Sequence, residues 1–319
     1  MTQPFRLGLG CASLGSPDIS DRDAEATMSA AIDAGIRFFD VAPLYGGGLA
    51  EVRLGRALRG LPRDEYVLCT KTGVTRPFGQ PPTPPNGARR GADVWDYGAR
   101  ATRESIARSL ERLGVERLDI VHLHDVEKHL DACLEAHAEL SRLRDRGVVG
   151  GIGIGSNFVA PIDDLLARAR FDAFLLAGCY TLLDQRGAAL LRRGHAEGLR
   201  TIVGGVFNSG VLASWPQPAP TFGYQPATAD VQARTGRIAA ICTRHDVAIG
   251  AAALQFVLRN GAIDTVLVGA RSVDELEQNL AAARSSAPQA LWDDLAASGV
   301  IPRDPPPAVG SPALRGPVL

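Results

Sequence analysis

Residues 118–155 read LDIVHLHDVEKHLDACLEAHAELSRLRDRGVVGGIGIG. A short apolar run, Leu118–His122, leads into an amphipathic stretch from His129 to Arg146. Gly147 stops that stretch, and a second apolar run, Val149–Gly155, follows it. Runs of this length, bounded by turn residues, are the pattern of buried parallel strands. The middle stretch carries a helix and its glycine stop signal. The segment is therefore one strand–helix–strand unit, and the same rhythm extends in both directions. Further strands are predicted at Phe5–Cys11, Arg37–Val41, Tyr66–Thr70, Ala173–Leu176, Thr201–Val206 and Thr265–Val268. Helices are predicted at Asp23–Ala34, with Ser20 and Asp21 as cap candidates and Gly35 as the stop, and at Ala101–Leu113, closed by Gly114. Eight strands separated by helical stretches with no break in composition predict an α/β chain folded as one (β/α)8 TIM barrel over residues 1–301. A Pro-rich tail, residues 302–319, follows it. The competing doubly wound sheet needs a G-x-G-x-x-G turn, and the nearest glycine strings, Gly8–Gly10 and Gly151–Gly153–Gly155, both fail at the third position.

The 319 residues carry 34 Lys and Arg against 35 Asp and Glu, a formal charge of −1. That balance gives no electrostatic footprint for nucleic acid or an anionic membrane. No apolar run approaches the roughly 18 residues of a membrane span. The five cysteines are scattered without a CxxC spacing, which points to reduced thiols and a cytoplasmic protein.

In a barrel the chemistry gathers where strands end. Strand two ends in FFDVAPLYGGG and offers Asp40 and Tyr45. Strand three ends in LCTKTG and offers Lys71, and strand four offers His122, His124 and Asp125. A lysine ammonium beside a phenol favours the phenolate, and an aspartate keeps that lysine charged and placed. An imidazole orients a substrate oxygen or passes a proton. Two long connections, Thr75–Gly98 after strand three and Asn208–Thr228 after strand seven, carry Phe78, Trp95, Tyr97, Trp215, Phe222 and Tyr224. Both are predicted to be ordered loops over a pocket, with Trp95 lining it. The glycines at 46–48 lack the Lys-Ser/Thr of a phosphate loop and are expected to serve a turn.

Taken together, residues 36–46 (IRFFDVAPLYG), 69–71 (CTK) and 119–124 (DIVHLH) resemble the catalytic segments of the aldo-keto reductase superfamily, and the resemblance runs from Phe5 to about Ala283. It implies a catalytic set of Asp40, Tyr45, Lys71 and His124. It also implies an extended NAD or NADP lying across the barrel rim without a Rossmann fold. The segment GIGSN at 153–157 would hold the nicotinamide carboxamide through Ser156 and Asn157. The loop with Gly205, Phe207, Asn208, Ser209 and Gly210 would hold the pyrophosphate. The segment VGARSVDELEQNL at 268–280 would hold the adenosine end through Gly269, Arg271, Glu275, Gln278 and Asn279. Gly205 stands near the place where many relatives stack an aromatic residue on nicotinamide, leaving Phe207 or Tyr180 for that task. The strings GGVFNSGVLA and FLLAGCYTLLDQ are similar to the branch of sugar 1-dehydrogenases. The implied reaction oxidises an aldose of the L-fucose, L-galactose or D-threo type at C1 to a lactone, with Tyr45 as base. Pyridoxal oxidation and general carbonyl reduction are the neighbouring alternatives.

Glu275 would repel a 2′-phosphate and accept from a ribose hydroxyl, which tips the expectation toward NAD, while Arg271 retains a possible phosphate contact. Trp95, Tyr180 and His122 are the candidate substrate contacts. His122 is also expected to sit one layer below His124 as a hydrogen-bonded core group. The His122/His124 pair has a rival reading as part of a metal-dependent hydrolase, but such a site needs ligands from other strands, and none is expected. A second rival is a nucleotide-binding subunit without catalysis. It has no need of Tyr45 and Lys71.

Overall fold

In the computed structural model, which describes residues 6–78 and 93–302, eight short parallel strands close on themselves. They are β1 (Leu7–Gly10), β2 (Phe38–Asp40), β3 (Val67–Thr72), β4 (Leu118–His124), β5 (Val149–Ser156), β6 (Ala173–Ala177), β7 (Arg200–Gly204) and β8 (Thr265–Val268). Each pairs with its sequence neighbours, and β1 pairs with β8 to complete the barrel. Ten helices surround it among the described residues. They are α1 (Asp21–Asp33), α2 (Leu49–Ala57), α3 (Ala99–Leu113), α4 (Leu130–Asp145), α5 (Val159–Arg168), α6 (Ala188–Ala196), α7 (Ala229–Arg244), α8 (Ile249–Leu258), α9 (Val273–Arg284) and α10 (Gln289–Ala297). The predicted α/β barrel is the observed fold. The expected Pro-rich tail lies beyond Pro302, outside the described residues.

Strand alternation sorts the side chains into two cores. Phe38, Cys69, Ile120, Ala173, Leu175, Ile202 and Leu267 point inward and fill the barrel. Leu9, Phe39, Leu68, Val121, Leu123 and Phe174 point outward into the helix ring. This alternation places Ile120, His122 and His124 in one inward column along β4, with the histidines uppermost.

Element ends differ from the sequence reading in instructive ways. Ser20 caps α1 by accepting from the Asp23 amide at 3.1 Å, so the helix starts two residues early. Strands β3 and β4 each run two residues further than predicted, because the ladder continues through Lys71↔His122 and His124↔Gly155. Lys71 and His124 are thus held by sheet backbone rather than by loops. Strand β7 stops at Gly204, since Gly205 turns into the left-handed region at φ 64°.

The predicted long loops contain order of their own. Val74–Thr75 pairs with Val94–Trp95 in a small antiparallel ribbon, and Thr221–Phe222 pairs with Gln225–Pro226 in another. Residues 79–92 of the first loop lie outside the described residues. No single helix among those described is long and apolar enough to cross a membrane.

Candidate active site

The site begins with a turn. After β2, residues Tyr45–Gly48 form a tight 3₁₀ turn in which Gly46, Gly47 and Gly48 take φ of 63°, 64° and 99°. A Cβ on Gly46 would stand 2.0 Å from the Gly15 carbonyl oxygen, and one on Gly47 would stand 2.1 Å from that of Pro77. Only glycine lets the two neighbouring loops close against this turn. The half-buried Tyr45 is aimed inward from its head.

Lys71, on the inward face of β3, is 2% exposed. Its Nζ donates to Asp40 Oδ2 at 2.6 Å and to the Val41 carbonyl at 3.1 Å. The same ammonium lies 4.8 Å from the centre of the Tyr45 ring. His124 meets that ring edge-on, with centroids 5.9 Å apart. The four residues predicted from three strand ends therefore form one cluster at the C-terminal rim.

Electrostatics give each member a state. Burial alone would lower the Lys71 ammonium, but Asp40 and Tyr45 outweigh it and hold Lys71 above its ordinary range. Burial raises the Asp40 carboxyl, with Lys71 opposing. Burial also pushes His124 well below the usual imidazole range, and repulsion from Lys71 adds to it, so the ring is neutral. Its Nδ1 has no hydrogen-bond partner among the described residues, and its Nε2 stands 3.8 Å from Asp125 Oδ1. Tyr45 departs from expectation. Burial raises the phenol above its ordinary value, and the lowering by Lys71 is smaller. The sequence displays the lysine, whereas the desolvation comes only from the packing around it.

Two expected substrate contacts are placed elsewhere. His122 is fully buried one layer below His124, as its strand position implies, so it is not a wall of the pocket. Neither of its ring nitrogens has a hydrogen-bond partner among the described residues, contrary to the expected bonded core group. Its ring occupies space that Gly153 leaves open, since a Cβ there would lie 2.2 Å from His122 Nδ1. Tyr180 turns away from the rim and stacks on Phe256 of α8 at 5.2 Å, so it is not available to cover a nicotinamide. The third, Trp95, is half-buried and packs on His129 at 5.3 Å, beside Tyr97. Tyr97 in turn donates to the backbone carbonyl of His124.

The expected cofactor strip divides in the same manner. Ser156 donates to Glu127 Oε1 at 2.8 Å and accepts from the Phe158 amide, so its hydroxyl is occupied internally. Glu127 also accepts from the Asn157 amide at 3.1 Å, which leaves the half-buried Asn157 side chain at the rim. Asn208 is 5% exposed, accepts from Thr181 Oγ1 and donates to the Gly178 carbonyl, so it builds the loop rather than reaching outward. Ser209 ties the second ribbon down: its carbonyl accepts from Thr221 Oγ1 at 2.7 Å and its hydroxyl from the Tyr224 amide at 2.9 Å. Glu275 accepts from the Arg271 amide at 2.8 Å while Ser272 accepts from the Glu275 amide at 3.2 Å. This capping arrangement at α9 commits one carboxylate oxygen to the backbone. Asn279 donates to the Gly269 carbonyl at 3.0 Å.

What stays open suits an extended nucleotide. Gly205, Gly269, Arg271 and Gln278 are exposed, and Phe207 and Gly210 are half-exposed. A Cβ on Gly210 would meet nothing within 4 Å, and one on Gly269 nothing closer than 3.7 Å. The residues present thus form an open strip of bare backbone and a cation along the rim, leading to the buried cluster.

Sequence reasoning did not single out Tyr224 among the loop aromatics. It sits at φ 63° in the turn of the second ribbon and is 65% exposed, yet it lies within electrostatic reach of Tyr45, Lys71 and Asp125. The signal was an aromatic in a long loop; its direction depended on Ser209. Glu127 and Thr181 were missed because nothing local marks them as partners of the rim.

Comparison with known proteins agrees with this geometry. The model of the aldo/keto reductase family matches residues 6–297. A D-threo-aldose 1-dehydrogenase from a Pseudomonas species is 41% identical, covering 93% of this chain and 94% of its own length. A pyridoxal 4-dehydrogenase from Microbacterium luteolum is 36% identical, covering 92% and 94%. Among solved structures, a holo-form aldo-keto reductase from Bacillus halodurans superposes with a TM-score of 0.73 at 25% identity, over 93% of this chain and 94% of its own.

Proposed function

Because the chain belongs to the aldo/keto reductase family and is an NAD(P)-dependent oxidoreductase, we propose that it oxidises a cyclic aldose at C1 to the lactone. The observation that carries this reading is the buried Asp40–Lys71 pair set against Tyr45, with neutral His124 across the ring. The 41% identity to an aldose 1-dehydrogenase supports the substrate class.

NAD(P)⁺ would be held along the open strip at Asn157, Gly205, Phe207, Gly210, Gly269, Arg271 and Gln278, and would supply the hydride acceptor for C1. The chain's own residues handle the proton and the orientation. The anomeric hydroxyl sits between Tyr45 and His124. Tyr45 Oη takes the hydroxyl proton as general base. Lys71 favours the phenolate by its charge, and Asp40 keeps Lys71 protonated and in place. The neutral ring of His124 donates to the substrate oxygen without adding a second positive charge. Glu275, with one oxygen on the Arg271 amide, retains the other for a ribose hydroxyl, which favours NAD over NADP.

The test is a panel of aldoses and pyridoxal, each with NAD⁺ and NADP⁺, followed at 340 nm with lactone identified in the product. Aldose-dependent reduction of NAD⁺ is expected. Turnover confined to pyridoxal, the substrate named for the 36% identical relative, would replace the sugar with an aromatic aldehyde in its cyclic hemiacetal form. A kcat/KM higher with NADP⁺ would remove Glu275 as the selector.

A further inference from the structure

Tyr180, turned away from the rim, lines a cavity of about 230 Å³ on the outer wall of the barrel, between α6, α8 and α10. One side is aromatic. Tyr180 and Phe256 stack at 5.2 Å, and the Trp292 ring lies under the Arg259 guanidinium at 4.5 Å. The other side is polar. Asn260 is 2% exposed, and its Oδ1 accepts from the Ala262 amide at 2.9 Å. Its amide faces the Tyr180 phenol and opposes the raising of that phenol by burial.

The charge around the cavity is unbalanced. Arg192 and Arg259 line it against one carboxylate, Asp293, which already accepts from Gln289 Nε2 at 2.9 Å. Arg259 is half-buried, and no described carboxylate reaches ion-pair distance from it. Desolvation lowers its pKa, and Asp293 offsets this only in part. A guanidinium taken out of water over an aromatic face binds a planar carboxylate well. The volume falls below the roughly 300–1,000 Å³ of sites for drug-sized molecules, which limits the occupant to one ring.

We propose that this cavity is a second ligand site, separate from the barrel mouth, which takes a small single-ring aromatic carboxylate. The ring lies among Tyr180, Phe256 and Trp292, and the carboxylate meets Arg259. None of these residues belongs to the cluster at the rim, so the proposal is independent of the substrate assigned there.

Benzoate and its neutral isostere benzamide are the probes, titrated into the full chain while tryptophan emission and thermal midpoint are recorded. Saturable benzoate binding at millimolar or lower concentration is expected, with benzamide at least tenfold weaker. Arg259→Gln, at a half-exposed position where folding is retained, is expected to weaken benzoate at least tenfold. Tyr45→Phe and saturating NAD⁺ should leave it unchanged. Trp292→Phe should remove the fluorescence response but keep the thermal shift. The proposal is overturned by no saturable binding in the full chain, which includes occupation of the cavity by the residues beyond Pro302. It is also overturned by equal binding of benzamide, by unchanged binding in Arg259→Gln, or by loss on saturating the barrel mouth with NAD⁺.

Discussion

At the scale of single residues, Tyr45 sits between two opposing influences. Burial raises its phenol and Lys71 pulls it down, with burial the larger. Oxidation of an alcohol needs the base form, and a raised pKa makes that form scarce at neutral pH. Below the pKa each unit rise in pH then yields roughly tenfold more phenolate, so kcat for oxidation is expected to climb from neutral into alkaline pH. A profile that is flat or falls over that range would remove Tyr45 as the base. General base catalysis contributes about 10²–10⁴-fold. Tyr45→Phe should therefore cost at least about 10² in kcat, with the cofactor dissociation constant unchanged by fluorescence titration. Lys71→Met removes the one lowering influence that faces the phenol directly. Its residual activity should appear only at higher pH than in the parent, a shift that merely structural damage would not produce.

At the scale of elements, the second ribbon shows how a loop becomes part of a site. Thr221–Phe222 and Gln225–Pro226 pair, and Ser209 anchors both ends of the turn between them. That anchoring holds Tyr224 over the cluster in a left-handed conformation. Its phenol stands within electrostatic reach of Tyr45 and Lys71. Tyr224→Asn is the informative change, because asparagine tolerates positive φ and leaves the backbone unstrained. It is expected to raise KM for the sugar several-fold while KM for the cofactor and the pH profile stay in place. An equal rise in both KM values would reassign the ribbon to the cofactor. The caps behave differently: Ser20 and Thr228 accept from Asp23 and Val231, local bonds that sequence spacing alone anticipates.

At the scale of the whole molecule, a buried ion pair fastens the helix ring to the barrel wall behind the site. Glu51 of α2 is fully buried, accepts from Arg112 Nε of α3 at 2.7 Å and from Thr70 Oγ1 of β3 at 2.8 Å. Thr70 adjoins Lys71. Removing one partner of a buried pair strands the other and costs about 3–5 kcal/mol. Arg112 keeps some contact with water, so Glu51→Ala should cost about 3 kcal/mol, the low end of that range, read from the urea midpoint at unchanged m-value. A loss under about 1 kcal/mol, typical of an exposed pair, would show that the link is incidental.

The sequence by itself determined the barrel and most of the cluster at its rim. Strand length, glycine stops and the absence of a dinucleotide turn are local properties, and residues two apart on a strand must share a face. Asp40, Lys71 and His124 were therefore legible as inward residues near strand ends, and Tyr45 as the residue before a glycine turn. Only the tertiary structure decided the rest. It turned Tyr180 outward onto Phe256 and spent Ser156, Asn208 and one oxygen of Glu275 on the protein's own backbone and side chains. Each of these outcomes depends on a partner distant in the chain or on a loop's exit angle. The sign of the Tyr45 shift belongs with them. A neighbouring charge is visible in a motif, but desolvation is a property of everything packed around the group.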